Sequence, residues 1–293
     1  MPRLSRLGGA TALAIGAMLL APIPTPVADA QPTAGGCKSN IVVTAPGSSQ
    51  SQPNLPDTVP QGVNAIPVRK TLEMRHPLTV EGRTVPYNSN WSTGMLSYEE
   101  SRADGIRQGR ALIARRAAAC PNSVFHLYGY SEGADAMGHI VEDIAAGRGP
   151  IPAHRLGSAA LMANPSRSAN AQHWGSARPN TKPLMSPQLN YGSLSNRVLE
   201  VCNFGDGFCD TETIAPHFGY AARDLTSSAA WKRDGIPADI YPRLKEITTE
   251  YDLMKILAEA PAVPVAIAIH GGTYFWPGGG ISSSVNFIDR HLA

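Results

Sequence analysis

Val124-Phe125-His126-Leu127-Tyr128-Gly129-Tyr130-Ser131-Glu132-Gly133 is the stretch that decides the fold. Residues 124–128 are apolar or aromatic except for His126 and read as a short buried strand that runs straight into a glycine. Beyond Ser131, the residues Ala134, Met137, Ile140, Val141 and Ile144 recur every three or four positions, the spacing of one helix face. A strand that turns directly into a helix is the unit of a parallel α/β sheet, because the next parallel strand is reached only by a crossover. The turn has the form Gly-x-Ser-x-Gly, in which a serine sits on a strained corner with its hydroxyl presented. A side chain two positions either side of that serine would collide with neighbouring chain, which accounts for glycine at 129 and 133. The same turn aims the N–H of Glu132 and the positive end of the helix at the place where an attacked carbonyl oxygen becomes negative. Ser131 is therefore the candidate nucleophile.

Working outward, Ser97 and Glu100 form a capping box that opens a helix reaching Cys120. Ile41-Val42-Val43 reads as an earlier strand ending in a Ser-, Gly- and Pro-rich loop over 46–60, and the stretch 63–87, interrupted by three prolines, reads as extended. Strands are expected over 156–162 and 197–203, on either side of a polar, proline-rich insertion at 164–196 that is longer than an ordinary connection. Ile240, Leu244, Ile247, Tyr251, Met254 and Leu257 predict an amphipathic helix over 238–260, either packed on the core or closing over a site as a lid. Val263 to Ile269 is apolar but too short to cross a bilayer, and Gly278 to Gly280 lack the Lys-Ser/Thr ending of a phosphate-binding loop.

At the N-terminus, Arg3 and Arg6 precede an apolar run from Leu7 to Leu20 and the small-residue site Ala28-Asp29-Ala30, the pattern of a secretory signal peptide over residues 1–30 cleaved near Ala30. The remainder, 31–293, suits one large α/β domain. With 25 Lys and Arg against 23 Asp and Glu, no strong field of either sign exists to draw nucleic acid. The four cysteines, Cys37, Cys120, Cys202 and Cys209, are an even count in an exported chain and suggest two disulfides out of three possible pairings. The short spacing of Cys202 and Cys209 favours a local bridge, leaving Cys37 with Cys120. No Cys-x-x-Cys or His-x-x-x-His spacing supports a metal site.

A serine needs a base, usually histidine, and the histidine needs a carboxylate to fix its tautomer. In α/β-hydrolases the chain order is Ser, Asp or Glu, then His. His139, His154, His173, His217, His270 and His291 all follow Ser131, and His139 lies within the same helix. For the carboxylate, Asp206 stands in CNFGDGFC at a strand tip, inside the loop that a Cys202–Cys209 bridge would hold still. The alternative of calcium ligation by Asp206, Asp210 and Glu212 departs from the EF-hand spacing.

Taken in order, GYSEG, CNFGDGFC and APHFGY resemble the cutinase family of secreted α/β-hydrolases over roughly residues 37–225. The resemblance implies a three-layer α/β/α sandwich around a central, mainly parallel sheet. It implies a triad of Ser131, Asp206 and His217, the histidine following Ala-Pro, and disulfides Cys37–Cys120 and Cys202–Cys209. For the oxyanion hole it implies the N–H of Glu132 and a hydroxyl in the loop after the first strand, Ser48 with Ser49 next in line. Glu132 departs from the family's Gln beside the nucleophile, the spacing from Asp206 to His217 is short, and residues 226–293 form a C-terminal extension beyond the family core. The implied activity is hydrolysis of lipid-like or polyester-like esters with apolar acyl chains, by a secreted monomer that needs no cofactor or metal and has some affinity for lipid surfaces or the cell envelope. An envelope lipase, phospholipase or thioesterase with the same triad, and an inactive binding protein on a hydrolase scaffold, are the alternatives.

Overall fold

Six parallel strands line up in the order β2-β1-β3-β4-β6-β5 in the computed structural model, which describes residues 36–90, 96–226, 245 and 252–293. The expected signal peptide lies outside these residues. The strands are β1 Asn40–Ala45, β2 Val80–Thr84, β3 Val124–Tyr130, β4 Leu156–Met162, β5 Gln172–Trp174 and β6 Val198–Val201. The helices are α1 Ala65–Arg75, α2 Tyr98–Ala119, α3 Glu132–Ala145, α4 Thr211–Ile214, α5 Pro216–Thr226, α6 Leu253–Glu259, α7 Val263–Gly272 and α8 Gly280–Asp289.

Every residue of β1 is buried, as a parallel strand covered on both faces requires. Alternation splits the core in two. Ile41, Val43, Phe125 and Leu127 pack with Leu112, Ile113, Met137 and Ile140 of α2 and α3. Val42, Tyr128 and Met162 pack on the other face with Val68 and Leu72 of α1 and Val285 and Ile288 of α8. The result is the expected three-layer sandwich, and α8 in the C-terminal extension covers one face of the sheet. Residue 293 is tied to β1 by paired hydrogen bonds with the Asn40 side chain, each 2.9 Å.

The capping box of α2 forms as expected, with Ser97 Oγ accepting from the Glu100 N–H and Glu100 reaching back to the Ser97 N–H. The expectation of extended chain over 63–87 is corrected: residues 65–75 are α1. Pro67 sits in the first turn of the helix, where no intrahelical N–H bond is lost, and Ala65, Val68 and Leu72 carry the helical spacing. The insertion at 164–196 supplies the edge strand β5 and a wall around buried Arg167, whose guanidinium donates to the carbonyls of Cys209, Arg178 and Thr181. The helix expected over 238–260 lies largely outside the described residues. Its described end, α6, buries no residue, so this turn is a surface feature and not core.

Candidate active site

Ser131 sits between β3 and α3 with φ 54° and ψ −123°, a strained conformation for a residue with a side chain. The corner is held by neighbours: the Ser131 N–H donates to Met162 O at 2.9 Å, and the N–H groups of Ala134 and Asp135 donate to Ser131 O. The two glycines are required sterically. A Cβ at 129 would stand 2.4 Å from Ala134 Cα, and one at 133 would stand 2.3 Å from the carbonyl oxygens of Ala45 and Pro46.

Asp206 is fully buried in the loop after β6, inside the Cys202–Cys209 disulfide. Its Oδ1 accepts from the N–H groups of Phe208 (2.8 Å) and Cys209 (3.1 Å), and its Oδ2 from the Tyr274 hydroxyl at 2.6 Å. Burial would raise its pKa, but the charge of His270 and the bonds from His270, Tyr274 and Phe208 outweigh it and hold the carboxyl below the usual range. A second bridge joins Cys37 to Cys120, so both pairings implied by the resemblance are present.

The histidine between Ser131 and Asp206 is His270. Its Nε2 lies 2.9 Å from Ser131 Oγ, and its Nδ1 lies 3.0 Å from each oxygen of Asp206. A carboxylate only accepts, so Nδ1 carries the proton and Nε2 is left to accept from the serine hydroxyl. The imidazole is flanked by Tyr130 (centroids 5.4 Å apart) and Phe208 (4.2 Å), and Tyr130 donates its hydroxyl to the His270 carbonyl at 2.8 Å.

His217, the residue implied by the Ala-Pro-His motif, stands elsewhere. Pro216 starts α5, which places His217 in that helix's first turn, where its Nδ1 meets Glu259 Oε1 of α6 at 2.7 Å. The other oxygen of Glu259 accepts from the Phe218 N–H, so the carboxylate caps α5 and ties it to α6. His270 directly follows the apolar run Val263 to Ile269, at the end of α7. The available signals were the chain order, which His270 also satisfies, the short Asp206–His217 spacing, and a histidine closing an apolar helical run.

The oxyanion candidates lie in the loop after β1 and at the start of α3. The Ser48 hydroxyl donates to Glu132 Oε2 at 2.8 Å. Glu132 is fully buried, and its other oxygen accepts from Ser101 of α2. Its carboxylate therefore joins the loop after β1, α2 and α3, while its N–H stays at the start of α3. Ser49, the second choice, has φ 60° and donates its N–H to Ser89 O. Among the described residues, no group of three or more His, Cys, Asp or Glu side chains is placed to hold a metal ion.

Residues 253–275 form a nearly continuous helical stretch through α6 and α7, long and apolar enough to cross a membrane by length and composition, and little of it is buried. This is longer than the seven-residue run considered from sequence. His270 belongs to it and bonds Ser131 and Asp206, so here the stretch lies along the protein surface.

The cutinase family profile matches residues 36–234, which stops short of His270. The carboxylesterase Culp6 homolog of Corynebacterium glutamicum is 25% identical over 206 residues, 59% of this chain and 66% of that protein, just under two thirds of its length. A cutinase of Pyricularia oryzae is 28% identical over 193 residues, 65% of this chain and 78% of that protein. Among solved structures, lysin B from Mycobacteriophage D29 superposes with a TM-score of 0.57 at 16% identity, covering 86% of this chain and all of that one.

Proposed function

The chain belongs to the cutinase family, a family of carboxylic ester hydrolases, and we propose that it cleaves its ester through a triad of Ser131, His270 and Asp206. The observation that carries this is the continuous path from Ser131 Oγ through both nitrogens of His270 to a buried carboxylate. Ser131 attacks the ester carbonyl as His270 Nε2 takes its proton, and Asp206 stabilises the imidazolium. The Glu132 N–H, at the N-terminus of α3, meets the developing oxyanion. His270 then protonates the leaving alcohol, and water, deprotonated by the same imidazole, releases the acid from Ser131.

The substrate we propose is an ester with an apolar acyl chain. In support, the elements that carry the triad present apolar side chains to solvent: Phe204 before Asp206, Val265 and Ile267 on α7, and Trp276, which is 71% exposed. That surface also suits contact with lipid. Export is part of the proposal, supported by the N-terminal pattern and by two disulfides, which persist in oxidising compartments.

The test is labelling with a fluorophosphonate probe together with hydrolysis of p-nitrophenyl acetate. Wild type is expected to label, Ser131→Ala to be silent, and His270→Ala to lose on the order of 10⁴-fold or more in kcat. His217→Ala is expected to stay within about tenfold of wild type. A His217 variant that is dead beside an active His270 variant would reverse the assignment.

A further inference from the structure

An apolar cavity of about 220 Å³ lies between α5, the short α4 and α7. It is lined by Phe208, Ile214, Phe218, Ala222, Ala266 and Ile267, among others. On α7, Ala266 and Ile267 precede His270 by four and three residues, so the helix face that lines the cavity is continuous with the face that carries the imidazole. Phe208 is the shared wall, since its ring lines the cavity and also stands 4.2 Å from the His270 ring. The polar groups at the rim already have partners. Asp210 accepts from the Gly205 N–H, Thr211 donates to Gly207 O, and Arg223 bonds Asp224 and Leu184 O. The cavity thus offers apolar surface beside the triad and no polar group that requires a charged ligand.

We infer that this cavity receives the apolar chain of the ester cleaved at Ser131, an inference that rests on the esterase reading above. Val263, Ala266 and Ile267 of the chain-binding wall would then come from α7, which lies beyond the stretch matched by the family profile. One helix would serve both chemistry and selectivity: its His270 activates the serine, and its preceding turn holds the chain.

The experiment compares kcat/KM for p-nitrophenyl decanoate and acetate in wild type, in Ala222→Trp, which fills the cavity, and in Phe218→Ala, which widens it. Wild type is expected to prefer decanoate. The decanoate-to-acetate ratio is expected to fall about tenfold or more in Ala222→Trp. In Phe218→Ala the optimum is expected to move to a longer chain. On the unaltered protein, straight-chain alcohols are expected to inhibit acetate hydrolysis with potency that rises with each methylene, which tests the inference even if a variant fails to fold. Ratios within about twofold of wild type in both variants, with Ser131 still labelled by fluorophosphonate, would overturn the cavity assignment and leave the esterase reading standing. Alcohol inhibition that does not depend on chain length would overturn it as well. Absence of both labelling and acetate hydrolysis in wild type would instead sink the esterase reading, and this inference with it.

Discussion

The two ends of the Ser131–His270 pair are built in opposite ways. Ser131 stands at the tip of a central strand, and its strained corner is locked by backbone packed so tightly that a single methyl at 129 or 133 has no room. His270 arrives on a surface helix whose outward residues, Pro264 and Val265, face solvent. What holds it is a small set of hydrogen bonds: Tyr130 donates to its carbonyl, its Nδ1–H donates to Asp206, and Tyr274, one turn on, donates to the same carboxylate. Dense packing fixes the nucleophile whatever the substrate does, whereas an element with few buried contacts opens at lower free energy. In this arrangement the acid loop, more than the helix itself, positions His270.

The strongest way to break that arrangement is Asp206→Asn. The amide would donate where the carboxylate accepts and force the wrong imidazole tautomer, and kcat is expected to fall on the order of 10⁴-fold with the fold intact. Glu259→Gln cuts a superficially similar pair, Glu259 with His217, but touches only the junction of α5 with α6. Its expected cost is under about tenfold in kcat. Steady-state rates on p-nitrophenyl acetate check both, and an equal loss in the two variants would mean that α5 and α6 steer the site as firmly as the acid does.

The sheet half was legible because its signals are local. The strand 124–130, the glycines at 129 and 133, the capping box at Ser97 and the cysteine spacing each fix a conformation within a few residues. Asp206 was legible for the same reason, since its bridge closes over only seven residues. The base was not. His217 and His270 follow Asp206 in the required order, and choosing between them needs tertiary placement, which no local rule gives. The Ala-Pro-His motif instead marks the start of α5, where proline at the first helical position has its own structural reason. For Ser48 the sequence points to the loop, while the bond of its hydroxyl to the acidic side chain at 132 is visible only in the fold.

One disulfide lies in each of these two regions. Cys37–Cys120 spans 83 residues of the sheet half, and by loop closure its loss, as Cys37→Ser with Cys120→Ser, is expected to cost about 4 kcal/mol of stability with little change in kcat. Cys202–Cys209 spans 7 residues, and its loss is expected to cost about 2 kcal/mol. That smaller loss should nevertheless lower kcat about tenfold, because the loop it closes holds Asp206. Denaturant unfolding paired with kcat measured well below the transition checks the crossing. Parallel losses in both quantities would show that the acid loop holds itself without its bridge.

The smallest net effect in the wild type comes from two buried groups of the sheet whose pH signatures oppose each other. Burial, and secondarily the charge of His291, lowers the His126 pKa from 6.5 to about 3, with the ring between Ser158 Oγ and Asn40 Oδ1. As pH falls below 6.5 the unfolded chain takes up a proton that folded His126 refuses, so stability is lost, by about 3 kcal/mol at pH 4.5. Burial raises the Glu200 pKa from 4.5 to about 7, against hydrogen bonds from Tyr191, Ser168 and Asn164. As pH falls through 7 the folded state takes up that proton first, so stability is gained, again by about 3 kcal/mol by pH 4.5. The two slopes nearly cancel between pH 7 and 4.5, so each shows only when the other is removed. Relative to wild type, His126→Gln is expected to become more stable on acidification across that window and Glu200→Gln less stable, read as the change in unfolding free energy with pH. Slopes of the same sign in both variants would mean that at least one of these groups does not hold its proton as its burial requires.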